Sequence, residues 1–143
     1  MGLMRFFHNC YTAVQFNHLD KSRILEIQKQ RFRRLLHYAV NNSGFYKELY
    51  RGIDMDKCHL SDLPVVTKSD MIENWDRFVT DRRLKHREIQ NWRCAEKNNA
   101  KSYLGEFIPI NTSGSSGEQT LIIYHRKAME MVQASLFNRI QMS

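Results

Sequence analysis

Cysteine, proline and glycine are scarce in this chain of 143 residues, which holds three, two and six of them. The cysteines, Cys10, Cys58 and Cys94, are odd in number, widely spaced and form no Cys-x-x-Cys pair. That pattern fits free thiols in a reducing cytoplasm rather than a disulfide framework. The six histidines are equally scattered, and Cys58-His59 has no neighbours that would complete a zinc set, so a metal site has no support. No apolar run approaches the roughly 18 residues of a membrane span. The apolar opening is interrupted at His8 and Asn9, against a secretory leader. Phe6 stands where a myristoylation motif needs Ser or Thr. Low-complexity linkers and internal repeats are also missing. With 42% hydrophobic and 11% aromatic residues, the composition excludes intrinsic disorder. The expectation is a soluble, cytoplasmic, globular chain of one domain's worth, since a domain holds roughly 150 residues and hides roughly 70% of its unfolded surface.

Positive charge is present in excess, a net +7, but in blocks. Residues 20–51 carry eight Lys/Arg against three Asp/Glu, and residues 81–101 carry seven against three. Residues 53–80 reverse the balance, with six acids against three bases. Solvated helix faces account for these blocks, and so does attraction to anions such as nucleotides, RNA or acidic lipid.

Periodicity predicts a mostly helical front. Residues 20–41 form the clearest helix, opened by Asp20 as cap and carrying Leu25, Phe32, Leu35, Leu36, Ala39 and Val40 as one apolar stripe. Asn41-Asn42-Ser43-Gly44 ends it. A short helix is expected over 45–51, stopped by Gly52, and a loop over 54–64. Thr67-Lys68-Ser69-Asp70 is a capping box, opening a helix whose Met71, Ile72, Trp75 and Phe78 share a face. Residues 81–98 read as a charged helix. After Lys101 the pattern changes: 103–110 and 120–124 read as strands. A helix follows, with Ala128, Met131, Val132, Ser135 and Leu136 as a stripe at helical spacing. The fold class is α/β, with a helical region over 1–100 and, over 101–143, a strand–Gly/Ser loop–strand–helix unit.

The loop is the most informative stretch. Thr112, Ser113, Gly114, Ser115, Ser116 and Gly117 place four hydroxyls and two glycines between two strands. Glycine lets a ligand approach the main chain closely, and successive N–H groups with added hydroxyls form a concave anion site suited to polyphosphate. No Gly-Lys-[Ser/Thr] opens a following helix, so this is not a Walker loop. By its residues alone the segment reads equally as an ordinary Ser/Gly hairpin turn or a flexible linker.

Its surroundings add a resemblance. Arg33-Arg34-Leu35-Leu36-His37-Tyr38-Ala39, Asn42-Ser43-Gly44-Phe45-Tyr46-Lys47 with Tyr50, and Leu60-Ser61-Asp62-Leu63-Pro64-Val65-Val66-Thr67-Lys68-Ser69-Asp70 precede Thr-Ser-Gly-Ser-Ser-Gly in order. Together they resemble the N-terminal half of the phenylacetate–coenzyme A ligase group and its CapK relatives, within the adenylate-forming enzymes. The likeness covers roughly residues 20–140. It implies the start of a large adenylate-forming domain, with ATP and Mg²⁺ activating a carboxylic acid as acyl-adenylate. Coenzyme A then takes the acyl group, and a capsular polysaccharide pathway is the implied setting. Residues 112–117 would hold nucleotide phosphates. Family loops often continue Gly-Lys-Pro or Gly-x-Pro, whereas Glu118 and Gln119 follow here. The family's acyl-pocket segment, ribose-binding aspartate and mobile C-terminal lysine lie beyond the loop. The resemblance therefore implies an N-terminal fragment that is not catalytically complete by itself, with the rest of the ligase or a second copy as partner.

Other residues read more simply. Lys68 beside Thr67 reads as a phosphate contact or, in the capping box, more simply as a solvent-facing lysine of a first helical turn. His37 and His125 read as general bases or, as lone histidines on a helix or strand end, more often as surface or satisfied core residues. Trp75 and Trp92 read as core anchors. Cys94 has Arg93 and Lys97 nearby but no catalytic partner. The competing reading is a small basic module for nucleic acid or an acidic surface. The chain lacks aromatic-interleaved RNA motifs and helix-turn-helix spacing, which ranks nucleic acid low.

Overall fold

The computed structural model describes residues 3–95, 102–111 and 120–141. Helix α1 covers Leu3–Asn17, α2 Lys21–Asn42, α3 Gly44–Leu49, α4 Lys68–Glu73, α5 Trp75–Phe78 and α6 His86–Cys94. Strands β1 (Phe107–Asn111) and β2 (Leu121–His125) pair antiparallel, and α7 (Arg126–Gln141) follows. The described chain is mostly helical with one small two-stranded sheet. It divides into two compact units, Glu26–Asn99 and Met1–Leu25 with Ala100–Ser143.

In the unit Glu26–Asn99, helix ends are closed by nearby side chains. The approach to α2 already shows this chemistry: Asp20 Oδ1 accepts from the Arg23 amide at 2.8 Å and from the Ser22 hydroxyl at 2.6 Å. These bonds hold its carboxyl below the usual carboxylate range, the Ser22 hydroxyl contributing most. Ser43 ends α2 and starts α3. Its amide donates to Ala39 O at 2.8 Å, and its Oγ accepts from the Tyr46 amide at 3.3 Å. The same hydroxyl donates to Arg77 O at 2.9 Å, which ties α3 to α5 from a fully buried position. Phe45, Tyr46 and Phe78 pack between those helices with ring centroids 5.1–5.5 Å apart. Arg77 also pairs with Glu48.

The helix expected after Thr67 is interrupted. Thr67 and Asp70 form the capping box, with Asp70 N donating to Thr67 Oγ1 at 3.1 Å and Thr67 N donating to Asp70 Oδ2 at 2.8 Å. The chain then breaks at Asn74 and restarts as α5, leaving Ile72 exposed rather than on a common face with Trp75. Tertiary bonds explain the restart. Trp75 is buried and its indole N–H donates to Leu84 O at 3.3 Å, while Asp76 Oδ1 accepts from the His86 amide at 3.1 Å. Those bonds also place 81–85 in a turn, so the charged helix begins at His86 and its described part ends at Cys94. The loop over 54–64 contains a short 3₁₀ turn, Leu60–Asp62. Along α2, Leu36 is buried and Phe32, Ala39 and Val40 are half-buried, but Leu25 and Leu35 of the expected stripe are exposed.

In the other unit, α1 packs along α7, and α7 continues directly from β2. Helix α1 has no counterpart in the sequence reading. The first predicted strand is shortened: Tyr103 to Glu106 make a tight turn with Leu104 at φ +52° and Gly105 at φ +72°. Glu106 N donates to Tyr103 O at 3.2 Å, closing it. Two successive positive φ values suit glycine at Gly105 and strain Leu104 by about 1 kcal/mol. On α7 the stripe Ala128, Met131, Val132, Ser135 and Leu136 is exposed and lines a surface groove of about 420 Å³. The buried positions are Glu130 and Ala134. Alanine's small side chain suits close helix approach, and that is the side α7 commits to packing.

Candidate functional site: the hairpin and its Ser/Gly connection

The hairpin register runs from Phe107 opposite His125 to Asn111 opposite Leu121. Its closing end is therefore the Asn111/Leu121 pair, and residues 112–120 connect the strands there. Side chains alternate across a strand, so Phe107, Pro109, Asn111, Leu121, Ile123 and His125 share one face. Phe107 and Leu121 are buried on it, whereas Ile110 and Ile122 are exposed on the other. Each strand of a two-stranded sheet is an edge, which is where Pro109 is tolerated.

The six residues singled out by sequence, Thr112, Ser113, Gly114, Ser115, Ser116 and Gly117, lie outside the described residues. What the fold fixes is their bracket. Asn111 is half-buried and Thr120 buried at the two ends of the connection. These two polar residues were not picked out in the sequence. Only their places flanking the hydroxyl run could have marked them.

The opposite end of the hairpin carries other chemistry. The His125 ring meets Phe107 edge-on at 5.5 Å, its Nε2 is 3.8 Å from Glu106, and its Nδ1 accepts from the Lys127 amide at 3.1 Å. Four residue steps along β2 separate His125 from Leu121, about 13 Å at 3.3 Å per residue. His125 is thus tied into the strand–helix corner, at the other end of the hairpin from the Asn111/Leu121 pair. The cap it provides at Lys127 gives it a structural task.

The other candidates belong to the unit Glu26–Asn99. His37 is exposed and its Nε2 lies 3.0 Å from Asp56 Oδ1, linking α2 to the 54–58 loop. That hydrogen bond holds the Asp56 carboxyl below its usual range. Lys68 is half-buried in the first turn of α4, more covered than expected. Trp75 is core, Trp92 is half-buried and Cys94 is exposed. Tyr46 and Tyr50 have raised phenol pKa values, in both cases chiefly from burial. A concavity of about 240 Å³ is lined by Phe45, Glu48, Leu49, Asn74 and Arg77, with the Glu48–Arg77 pair at its wall. Among the described residues no cluster of three His, Cys, Asp or Glu side chains could hold a metal ion.

Protein CapK of Staphylococcus aureus is 28% identical to this chain over 135 residues. The chain is similar to CapK. The alignment covers 88% of this chain and 25% of CapK, so the chain spans about a quarter of the length of the curated relative it matches. This likeness points to a CapK-related family and no further. No family model matches the chain, and no solved structure matches it.

Proposed function

We propose that the chain carries the nucleotide-phosphate segment of a CapK-related, adenylate-forming ligase, with Thr112, Ser113, Gly114, Ser115, Ser116 and Gly117 as the phosphate contacts. The observation that carries this reading is the hairpin bracket: the antiparallel register brings Asn111 and Leu121 together, so both ends of a hydroxyl- and glycine-rich segment meet at one place. The donor set suits phosphate oxygens. Hydroxyl and backbone N–H groups donate, glycines admit close approach, and none of the six residues carries a charge. No carboxylate stands among them, so Mg²⁺ would be held by the phosphates and by groups outside 112–117 rather than by the loop.

ATP, when bound, would supply the leaving group that activates a carboxylic acid for transfer to a thiol such as coenzyme A. The loop's own part is to donate hydrogen bonds to the terminal phosphates as negative charge gathers on the departing pyrophosphate. Glu118 opposes this. A carboxylate directly after Gly117 repels a polyphosphate through like charge. The same reading extends to a capsule-related ligase role for the protein that carries this segment.

Equilibrium binding of ATP to the chain tests the proposal. Gly114→Val is expected to lower affinity by about tenfold or more, because its side chain fills the approach to the main chain. Glu118→Gln is expected to raise affinity. Failure to bind ATP, or binding indifferent to Gly114→Val, removes the reading.

A further inference from the structure

Helix α1 presents to water a face that its packing does not cover. It lies along α7, yet Met4, Phe7 and Tyr11 are 88, 61 and 64% exposed. Their spacing of three and then four residues sets them along one side of the helix. Large apolar side chains grouped in this way mark a surface that meets something apolar.

Charge identifies the occupant. No Asp or Glu precedes Asp20, and residues 1–25 of this unit hold Arg5, Lys21 and Arg23 against that one acid. Lys21 and Arg23, both exposed, open α2 directly after α1. An apolar helix face with no acid on its own helix, followed by the exposed bases Lys21 and Arg23, fits the boundary of an anionic bilayer. There the apolar side chains enter the acyl region while the cations meet headgroup phosphates. A nucleic acid would satisfy the bases but offers little to Met4 and Phe7. No described helix is long and apolar enough to cross a membrane, so the mode is to lie on the surface.

We propose that α1 docks this chain on an anionic lipid surface, with Met4, Phe7 and Tyr11 inserted and Lys21 and Arg23 at the headgroups. The proposal is independent of the phosphate-loop reading, and its test contains no nucleotide.

Co-sedimentation of the full 143-residue chain with two vesicle types decides it: phosphatidylcholine only, and equal parts phosphatidylcholine and phosphatidylglycerol. Binding is expected to the second type, to fall with added salt, and to drop about tenfold in Phe7→Asp, which loses the transfer of a large apolar side chain. Because Phe7 is largely exposed, circular dichroism of Phe7→Asp should match the parent. The double variant Lys21→Glu/Arg23→Glu leaves the apolar face intact and is expected to lose the salt-dependent part of binding. No association at low salt overturns the proposal, as does association unchanged by Phe7→Asp. Binding to polyuridylate RNA without vesicle binding overturns it in favour of nucleic acid. A dimer dissociated by Phe7→Asp, again without vesicle binding, overturns it in favour of self-association.

Discussion

The two compact units use their apolar residues differently. Among the described residues, Glu26–Asn99 leaves five large apolar side chains exposed, whereas Met1–Leu25 with Ala100–Ser143 leaves eleven. The first unit closes short helices with caps and joins them through buried polar contacts such as Ser43 to Arg77 and Trp75 to Leu84. The second is built from strand pairing and from one helix lying along another, and it shows apolar stripes on both α1 and α7. A well-capped unit can be internally complete with modest apolar area. A hairpin and two helices bury one side and leave the other available for a partner.

This contrast can be broken most sharply at Trp75. Trp75→Ala removes a buried ring and its bond to Leu84 O, and should cost about 3–5 kcal/mol in urea denaturation. A loss near zero would mean that Glu26–Asn99 is not organised around it. Next comes a paired test on α7. Ala134 has no exposed surface, so Ala134→Leu overpacks the helix contact and should cost about 1–3 kcal/mol. Val132 on the opposite side is 45% exposed, and Val132→Gln should change stability by no more than about 0.5 kcal/mol. Equal costs would mean that both faces of α7 are covered in solution.

Thr67→Ala follows, with a loss of about 1 kcal/mol from the α4 cap. Its pH signature is more specific. Asp70 is held below the ordinary carboxylate range, first by the Thr67 hydroxyl and then by the Thr67 amide. A depressed folded-state pKa favours the charged form. Its contribution is therefore present above the ordinary carboxylate value and is lost as pH falls through the depressed one. In Thr67→Ala the NMR titration of Asp70 should move upward, and an unmoved titration would deny the capping box its role. The smallest effect is expected at His37→Ala. The Asp56 carboxyl should titrate higher once the 3.0 Å partner is gone, with little change in stability because both groups are exposed.

Much of this was legible in the residues because it is local. The Asp20 cap, the Ser43–Gly44 junction and the Thr67–Asp70 box each join groups two or three residues apart. Sequence spacing alone therefore puts donor beside acceptor. The two strands and the position of the Ser/Gly connection between them were legible for the same reason, from short apolar runs and turn residues. The break at Asn74 was not legible. Met71, Ile72, Trp75 and Phe78 keep a helical period, and only the distant bonds of Trp75 and Asp76 make the chain restart there. Leu25 and Leu35 fit a stripe by spacing and are nonetheless exposed, since a helix presents more apolar surface than its neighbours cover.

The sequence by itself determined where the helices capped at Asp20 and Thr67 begin, and that a hydroxyl- and glycine-rich segment joins two strands. These depend on contacts within one helical turn or one hairpin. Only the tertiary structure decided which face of α7 is buried. Spacing favours Ala128, Met131, Val132, Ser135 and Leu136, while the fold buries Ala134 and Glu130 and leaves that stripe to solvent. The reason is physical: periodicity reports that a helix has an apolar side, but the surface of the neighbour it packs against chooses which side goes in.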